Sequence, residues 1–342
     1  MVASRVEGES YFHIDNECFN DELNRIIYSI VPLYENIIKR HVYFNIFFGV
    51  LISLEILGLS LFFSFLFELS IFSFGLAALF LTIFSYFILR VYYQAQKAEQ
   101  FNEFIHRYTR GCKTISKYRE GIPEHHIALG NAYTKLALQL VGKESQFFTP
   151  PSWIVSLSST MENFSCWCFW DDVYRMREAL LQKAIEEHIL LVKCEPTSLD
   201  IHAALANAYV MLSGLYLEAT NQEENQISFL QEDEGGIEVK FRENAEKAIE
   251  EFKILNDYAP NDPWVHTQLA YSYRDLKMPE EEIREYEIIL KLRPDDTETM
   301  FKLGCLYFQQ GRNSQGLRVY ERLKLANFKK AEQLIVHYGA ES

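Results

Sequence analysis

The sequence predicts an all-α protein in which an apolar helical hairpin is followed by an α-solenoid of paired helices. Two observations support this prediction. A strongly apolar block between Arg40 and Arg90 holds 12 of the 26 Phe residues, and a helical motif recurs four times after residue 122. With 49% hydrophobic and 23% charged residues, the composition is that of a folding chain and excludes a disordered or collagen-like one.

Charge is distributed unevenly along the chain. The formal net charge is −14, from 33 Lys and Arg against 47 Asp and Glu. Residues 195–342 alone carry 27 acidic and 16 basic residues, a net of −11. Because nucleic-acid binding depends on a cationic surface that neutralises phosphates, we expect no nucleic-acid partner.

Residues 1–41 are expected to form a cytoplasmic segment with one amphipathic helix. The segment has acidic residues and no apolar run at its start, unlike a cleavable secretory signal. Asn20 or Asp21 is suited to cap a helix whose apolar residues recur from Ile26 to Ile38. A similar pattern fills an amphipathic linker over 94–122. We expect the two stripes to pack together; a membrane-surface position for the first helix is the alternative.

Residues 42–93 are predicted to be a two-span transmembrane hairpin. The segments 42–67 and 69–91 each exceed the roughly 20 apolar residues that cross a bilayer core. A soluble core hairpin is the alternative, but such helices usually keep a polar face. Basic residues flank the hairpin and are missing from its turn, which predicts that both termini are cytoplasmic. These basic residues are Arg25, Lys39, Arg40, Arg90, Lys97, Arg107 and Arg110.

Each predicted span has one stripe of small residues and the first also contains Glu55. Since small side chains let helices approach closely in lipid, we expect the stripes to face each other. Glu55 lies on the opposite side from Ser53, and an ionised acid there costs about 3 kcal/mol or more. We expect it to be a neutral carboxyl, or to serve an ion path or an oligomer contact. The stripes are Gly49, Ser53, Ser60 and Ser64, and Gly75, Ala78, Thr82 and Ser85.

A motif of Leu, then Gly or Ala, then Tyr recurs four times in the acidic half, with the last two copies 34 residues apart. A second half-motif follows each copy, with a small or aromatic residue and usually a closing Pro. The pattern resembles the tetratricopeptide repeat (TPR), which implies two antiparallel helices per unit in a right-handed superhelix. Small residues allow close helix crossing, and Pro ends the second helix. The copies begin at Leu129, Leu205, Leu269 and Leu303, and their second halves include Ala184, Ala248, Tyr286 and Gly316.

The TPR-like solenoid is predicted over residues 123–342, with about four repeats and a capping helix over Lys329–Ala340. Long insertions at about 144–175 and 213–241 interrupt the first two repeats. The first insertion is aromatic and suits a partner interface or the lipid headgroup zone, or it packs on its own groove. The second is expected to be a solvated acidic loop. The candidate interface residues of the first are Trp153, Trp167 and Trp170.

The sequence holds no Gly-rich phosphate loop, no nucleophile elbow and no His-x-x-x-His metal helix. We therefore expect no enzyme activity, no catalytic residue, no cofactor and no metal. The six Cys residues lack a framework spacing and are expected to be reduced. Cys166 and Cys168 have no second pair nearby to complete a zinc site.

The resemblance implies a concave groove lined by the first helix of each unit, where members of the family commonly bind a peptide. Asn131 and Asn207 have amides able to bond a peptide backbone. Ile127 and Ala203 stand where chaperone-binding members have a Lys, which favours an apolar or aromatic ligand segment. Packing against an insertion is the alternative. The implied groove positions are Ile127, Asn131, Lys135, Ala203, Asn207, Val210, Thr267, Tyr271, Arg274, Phe301, Cys305 and Phe308.

The sequence favours a non-catalytic, membrane-anchored TPR scaffold that binds a protein or peptide partner at the cytoplasmic face. Residues 42–93 would contact the lipid bilayer. Two closely spaced spans with both ends on one side also resemble inclusion-membrane effectors of intracellular bacteria, which is the first alternative. A subunit of a transport or secretion complex that uses Glu55 is the second. A homo-oligomer is left open.

Overall fold

The structure, a computed structural model, describes residues 16–61, 71–119, 121–148, 158–225 and 234–338. All regular structure in these ranges is helical, which confirms the all-α prediction. The chain divides into two compact units, Met1–Ala184 and Ile185–Ser342. The helices are α1 (Asn16–Leu61), α2 (Ile71–Ile115), α3 (Pro123–Gln139), α4 (Ser158–Cys194), α5 (Leu199–Asn225), α6 (Glu234–Tyr258), α7 (Pro263–Asp275), α8 (Pro279–Leu292), α9 (Thr297–Gln309), α10 (Asn313–Leu325) and α11 (Ala331–Leu334), before a 3₁₀ turn at Ile335–His337.

Helices α1 and α2 are 46 and 45 residues long and pack along each other. Each runs without a break from its predicted span into the neighbouring amphipathic segment. At about 1.5 Å per residue, each is roughly twice as long as a bilayer core is thick. The most apolar window of each helix is entirely unburied, and both helices are long and apolar enough to cross a membrane.

Outside the predicted spans, α1 and α2 bury their apolar stripes in the first unit. The Tyr34 ring lies 5.6 Å from the Phe101 ring and 5.5 Å from the Phe104 ring, centroid to centroid. The first amphipathic stripe therefore packs against protein and not against a membrane surface. The buried residues recur at helical spacing and are Leu23, Ile27, Ile30, Tyr34 and Ile38 on α1, and Phe104, Tyr108 and Cys112 on α2.

Two buried tyrosines connect the α1–α2 pair to α3 and α4. The Tyr108 hydroxyl donates to the carbonyl of Ala132 at 2.7 Å. The Tyr34 hydroxyl donates to the carbonyl of Asp172 at 2.8 Å. The Asp172 carboxylate, itself buried, forms an ion pair with Lys97. These contacts satisfy polar groups that would otherwise be costly to bury.

The described small residues of the first stripe, Gly49, Ser53 and Ser60, do not face α2, so that part of the prediction is wrong; Ser64 lies outside the described residues. A Cβ added to Gly49 would meet no atom of another described segment within 4 Å, and Ser53 is exposed. Aromatic side chains lie on the inner face of α1 instead. The Phe44 and Phe48 rings lie 6.0 and 5.5 Å from the Tyr86 ring of α2. Large interlocking rings fill this interface more completely than small residues would.

Glu55 and Gly75 mark where α1 and α2 meet further along the predicted spans. Glu55 faces α2, and its Oε1 accepts a hydrogen bond from Thr82 Oγ1 at 2.9 Å. A Cβ added to Gly75 would lie 2.7 Å from Leu59 Cδ2, so this glycine permits a close approach. The prediction for the second stripe therefore holds at Gly75 and Thr82, whereas Ala78 is exposed.

The second unit stacks the helix pairs α5–α6, α7–α8 and α9–α10, with α11 packed on the last pair. The small residues of the repeat motif lie at close crossings, as predicted. A Cβ added to Gly304 would lie 2.8 Å from Leu334, and one added to Gly316 would lie 2.5 Å from the Phe308 ring. The Leu and small residues of the motif are buried in all three pairs. These are Leu205, Ala206, Leu269, Ala270, Leu303 and Gly304.

Repeated local signals start and end these helices. Asp262 Oδ1 accepts from the Trp264 N–H at 2.9 Å at the start of α7, and Asp296 Oδ1 accepts from the Thr299 N–H at 3.1 Å at the start of α9. Lys277 and Gly311 follow α7 and α9 with φ values of 57° and 67°. These two residues are one repeat length apart and close equivalent turns.

The insertions and the cap differ from the sequence prediction. A solvated loop is wrong for most of the second insertion, because 213–225 lies in α5 and 234–241 in α6; 226–233 lies outside the described residues. Within the first insertion, 158–175 belongs to α4, which is a single 37-residue helix. The cap is the four-residue α11 with a 3₁₀ turn. The start of the second insertion is helical because its apolar residues continue the helical spacing of α5. Leu212, Leu215, Tyr216 and Ala219 are buried along this extension.

Candidate partner-binding groove

Tyr271 on α7 is the centre of the candidate groove in the second unit. Lys302 on α9 donates from Nζ to the Tyr271 hydroxyl at 2.9 Å and lies 4.9 Å from the ring centroid. The Arg274 guanidinium lies 5.0 Å from the same centroid. Two cations at one aromatic ring are a cation–π arrangement. We call Tyr271, Arg274 and Lys302 the Tyr271 cluster.

Amide and apolar side chains occupy the other predicted groove positions on the first helices of the pairs. Asn207 is exposed on α5, and Val210 there is half-buried. Phe301 on α9 is half-buried, and its ring lies 6.0 Å from the Phe328 ring. Cys305, one turn further along α9, is also half-buried. The second-unit groove therefore offers a hydrogen-bonding amide, apolar surface and two cations.

A buried acid lies near the Tyr271 cluster. Glu282 is buried at the position where the repeat motif has a small residue elsewhere. Burial raises the pKa of its carboxyl, against the lowering effects of the Tyr286 hydroxyl and of Arg274 and Lys302. The raised pKa of this carboxyl widens the pH range over which it is protonated. Arg274 Nε lies 3.6 Å from Asp275 Oδ1, which offsets part of its charge, so Lys302 is the main cation of the cluster for an anionic group.

In the first unit, α3 presents the corresponding positions on one exposed face. Ile127 is 38% exposed and Asn131 is exposed. Lys135, half-buried, donates from Nζ to Asn20 Oδ1 at 3.1 Å. Steps of four residues place these side chains one above another on the helix. Asn131 is accessible to a ligand, whereas Lys135 is partly engaged by α1.

Phe308 does not line the groove, which corrects the sequence prediction. It is 1% exposed and its ring packs against Gly316 of α10. Phe308 lies on the buried side of α9 because Gly316 has no side chain there, and the Phe308 ring fills the space. Its aromatic side chain contributes to the core and not to ligand binding.

The three tryptophans proposed for an interface are not equivalent. Trp153 lies outside the described residues. Trp167 is 53% exposed on α4, with its ring stacked on that of Phe164 at 6.0 Å. Trp170 is half-buried, and its ring stacks on that of Tyr174 at 5.2 Å. Of the two described residues, Trp167 presents the larger aromatic surface.

A pair of buried histidines was missed by the sequence analysis. His202 Nδ1 lies 2.6 Å from Glu251 Oε2, and its Nε2 lies 3.0 Å from the carbonyl of Pro196. Both neighbours accept hydrogen bonds, so both ring nitrogens must carry a proton to satisfy them. The sequence contains a signal for this pair, because each His lies three residues before the Leu of the repeat motif and six residues after a Pro. The same contacts, at 2.6 and 3.0 Å, recur among His266, Glu285 and Pro260.

Metal-binding chemistry finds little support in the described part of the chain. His, Cys, Asp and Glu side chains form no group there able to hold a metal ion. Burial raises the pKa of the Cys168 thiol to about 11 and that of Cys166 above its ordinary value, with Glu144 adding to the latter. Both are therefore thiols near neutral pH, whereas the thiolate is the metal ligand.

No protein-family model and no curated protein matches the chain. Among solved structures, the chain is similar to a monomeric mutant of IFIT1 with Gppp-AAAA. The similarity has a TM-score of 0.35 and 14% sequence identity, over 71% of this chain and 61% of that one. The chain thus spans less than two thirds of the length of that protein.

Proposed function

We propose that the protein is a membrane-anchored adaptor of the TPR type that binds a peptide segment of a partner protein and catalyses no reaction. The apolar halves of α1 and α2 are the anchor. The paired helices present the groove. Both ends of the chain lie on the cytoplasmic side, where basic residues flank the hairpin.

The exposure of the hairpin is the observation that carries this proposal. Core helices of soluble proteins are mostly buried, whereas the apolar windows of α1 and α2 have no buried part. Large side chains point outward on both helices, with Phe47, Leu57, Phe80 and Phe84 all more than half exposed. An apolar surface of this extent is unfavourable in water and favourable in lipid.

The groove chemistry indicates the kind of peptide. The Tyr271 cluster supplies Lys302 for a carboxylate, with Arg274 partly offset by Asp275, and Asn207 supplies an amide for a peptide backbone. Phe301 adds apolar surface nearby. An extended segment with an acidic residue beside an apolar or aromatic one fits these groups.

Quantitative crosslinking and pull-down from membranes tests the groove. We expect Lys302→Gln to lower recovery of a specific partner about tenfold, because a hydrogen bond to a charged group contributes about 1.5–3 kcal/mol. Asn207→Ala should lower it about fivefold, because a neutral hydrogen bond contributes about 1 kcal/mol. Lys253→Gln, at an exposed site on the second helix α6, is the matched control. Equal recovery of every partner by all variants would show that this surface is not the docking site. Asn131→Ala tests the first unit in the same way.

A further inference from the structure

A polar cavity of about 160 Å³ lies between α1 and α2. No acidic side chain lines it among the described residues. Its wall combines cationic, amide and aromatic groups from both helices. The lining residues are His41, Phe44, Asn45, Arg90, Tyr93, Gln94 and Lys97.

The cavity lies at one edge of the exposed apolar band of the hairpin. Exposed large apolar side chains recur closely on α1 from Tyr43 and Phe47 onward, and on α2 they end at Val91 and Tyr92. Before this level on α1, Tyr34 and Ile38 are buried in protein, whereas Tyr28 and Leu33 are exposed. In the proposed membrane arrangement, on which this inference rests, the edge of the band is the headgroup zone of the cytoplasmic leaflet.

Arg90 and Lys97 bring positive charge to the cavity. Arg90 is exposed, forms no ion pair with any described residue, and lies with its guanidinium 5.9 Å from the Tyr86 ring. Lys97 is held in place by the buried carboxylate of Asp172, which offsets part of its charge. Arg40, whose guanidinium lies 5.9 Å from the Tyr93 ring, adds a third cation beside the lining residues. The free guanidinium is therefore the principal anion-binding group.

Two polar side chains of the wall have unused hydrogen-bonding groups. His41 is 6% exposed, and its Nε2 has no partner among the described residues. Burial first, and then the charge of Lys97, lower its pKa to about 4, so the imidazole is neutral at pH 7. Asn45 Oδ1 accepts from the Tyr86 hydroxyl at 3.3 Å, which leaves the Asn45 amide N–H groups available. The cavity thus has spare hydrogen-bonding capacity for a ligand.

We propose that this cavity binds the phosphate group of an anionic glycerophospholipid, with Arg90 as the main contact. A guanidinium can bond two phosphate oxygens at once, and the amides of Asn45 and Gln94 can donate to the others. The acyl chains lie along the exposed apolar faces of α1 and α2. Basic pockets between membrane helices are suited to such headgroups. The site thereby selects the lipid composition around the anchor.

Native mass spectrometry of the full chain in detergent micelles tests the proposal. With equal amounts of phosphatidylglycerol and phosphatidylcholine added, we expect wild type to retain phosphatidylglycerol about tenfold more often. Both lipids carry a phosphate, but the cationic wall, which has no acid among the described lining residues, repels the quaternary ammonium of phosphatidylcholine. Arg90→Gln and Asn45→Ala should lose this preference while keeping the helical circular-dichroism spectrum. Arg110→Gln, at an exposed basic site further along α2, should keep it.

Three results would overturn the proposal: no preference in wild type, an unchanged preference in Arg90→Gln, or equal displacement of the lipid by the same concentration of inorganic phosphate. The last would identify a site for free phosphate. Insertion of wild type into pure phosphatidylcholine nanodiscs is measured separately. Failure there contradicts the membrane anchor itself, whereas insertion without lipid preference contradicts the headgroup site alone.

Discussion

His202 joins the carbonyl of Pro196, which precedes α5, to Glu251 on α6. Burial lowers the pKa of this imidazole, but the hydrogen bonds to Glu251 and Pro196 raise it more, and the net pKa is raised. The cationic ring thus fastens the start of one helix pair to its second helix. His266 has the same contacts in the next pair, so the connection belongs to the repeat.

The raised pKa of His202 predicts a pH-dependent contribution to stability. Since the folded-state pKa lies above that of the unfolded chain, the contribution is complete below about pH 6.5 and is lost as pH rises through the raised value. We expect His202→Asn to lower the free energy of unfolding by about 2 kcal/mol at pH 6, and by less at pH 9. Urea unfolding of the full chain in micelles measures the difference.

His188 provides a control, because its pKa is shifted in the opposite direction from that of His202. Burial lowers its pKa to about 4, so folding favours the neutral ring. The wild-type chain therefore loses stability at this site as pH falls from about 6.5 towards 4. His188→Asn should remove that loss, so the advantage of wild type over this variant should be larger at pH 7 than at pH 5. A His202→Asn difference that stayed constant between pH 6 and 9 would contradict the ionic connection.

Glu55 has one oxygen bonded to Thr82 and the other without a partner among the described residues. The amide of Gln can accept the same hydrogen bond without a titratable group. If Glu55 has only a packing role, Glu55→Gln should change thermal stability in micelles by less than about 0.5 kcal/mol. Thr82→Val should cost about 0.6 kcal/mol, a typical value for an interhelical bond in lipid. Loss of proton or cation flux in proteoliposomes with Glu55→Gln would instead support the transport function.

At the scale of elements, the small residues of the repeat motif fix how closely the helices cross. A Cβ at Gly316 would overlap the buried Phe308 ring. We expect Gly316→Ala to destabilise the second unit by about 1–3 kcal/mol through overpacking. Gly214 on α5, where an added Cβ meets no atom of the described residues within 4 Å, is the control.

Gly214→Ala should be neutral or stabilising by about 0.5–1 kcal/mol, because Ala loses less backbone entropy in a helix. Thermal unfolding followed by circular dichroism separates the two variants. Equal destabilisation by both would contradict the idea that the Phe308 contact determines the effect.

The sequence predicted the helix pairs well because their signals are local. Leu269 and Ala270 each act within one helix, and the structure buries them as the repeat motif predicts. The face on which α1 meets α2 was predicted wrongly. In an apolar span almost every side chain suits either lipid or protein, so hydropathy gives no contrast between faces. The aromatic contacts of Phe44 with Tyr86 decide the face.

The groove was predicted only in part for a different reason. Tyr271 and Arg274 follow from the repeat spacing, but Lys302 does not, because its contact with Tyr271 joins two helices that are one repeat apart. Phe308 was misplaced although it has the same repeat position as Arg274, because its ring packs against Gly316 on the neighbouring helix α10. Contacts between neighbouring repeats are thus harder to predict from the sequence than contacts within one helix.

At the scale of the whole molecule, charge and apolarity are segregated. The chain has a net charge of −14, yet basic residues flank the apolar hairpin and the acidic excess lies in residues 195–342. Basic residues near an anionic leaflet favour binding, whereas an acidic region is repelled by it. This distribution supports an anchor at the membrane with repeats that face the aqueous phase.

The most direct test of the anchor is flotation with liposomes after an alkaline carbonate wash. The full chain is compared with a variant in which residues 42–93 are replaced by a short Gly–Ser turn that keeps the paired segments of α1 and α2. We predict that the full chain floats with the lipid and that the variant stays in the soluble fraction with an unchanged helical circular-dichroism signal per residue. Release of the full chain by carbonate, or flotation of the variant, would contradict the account.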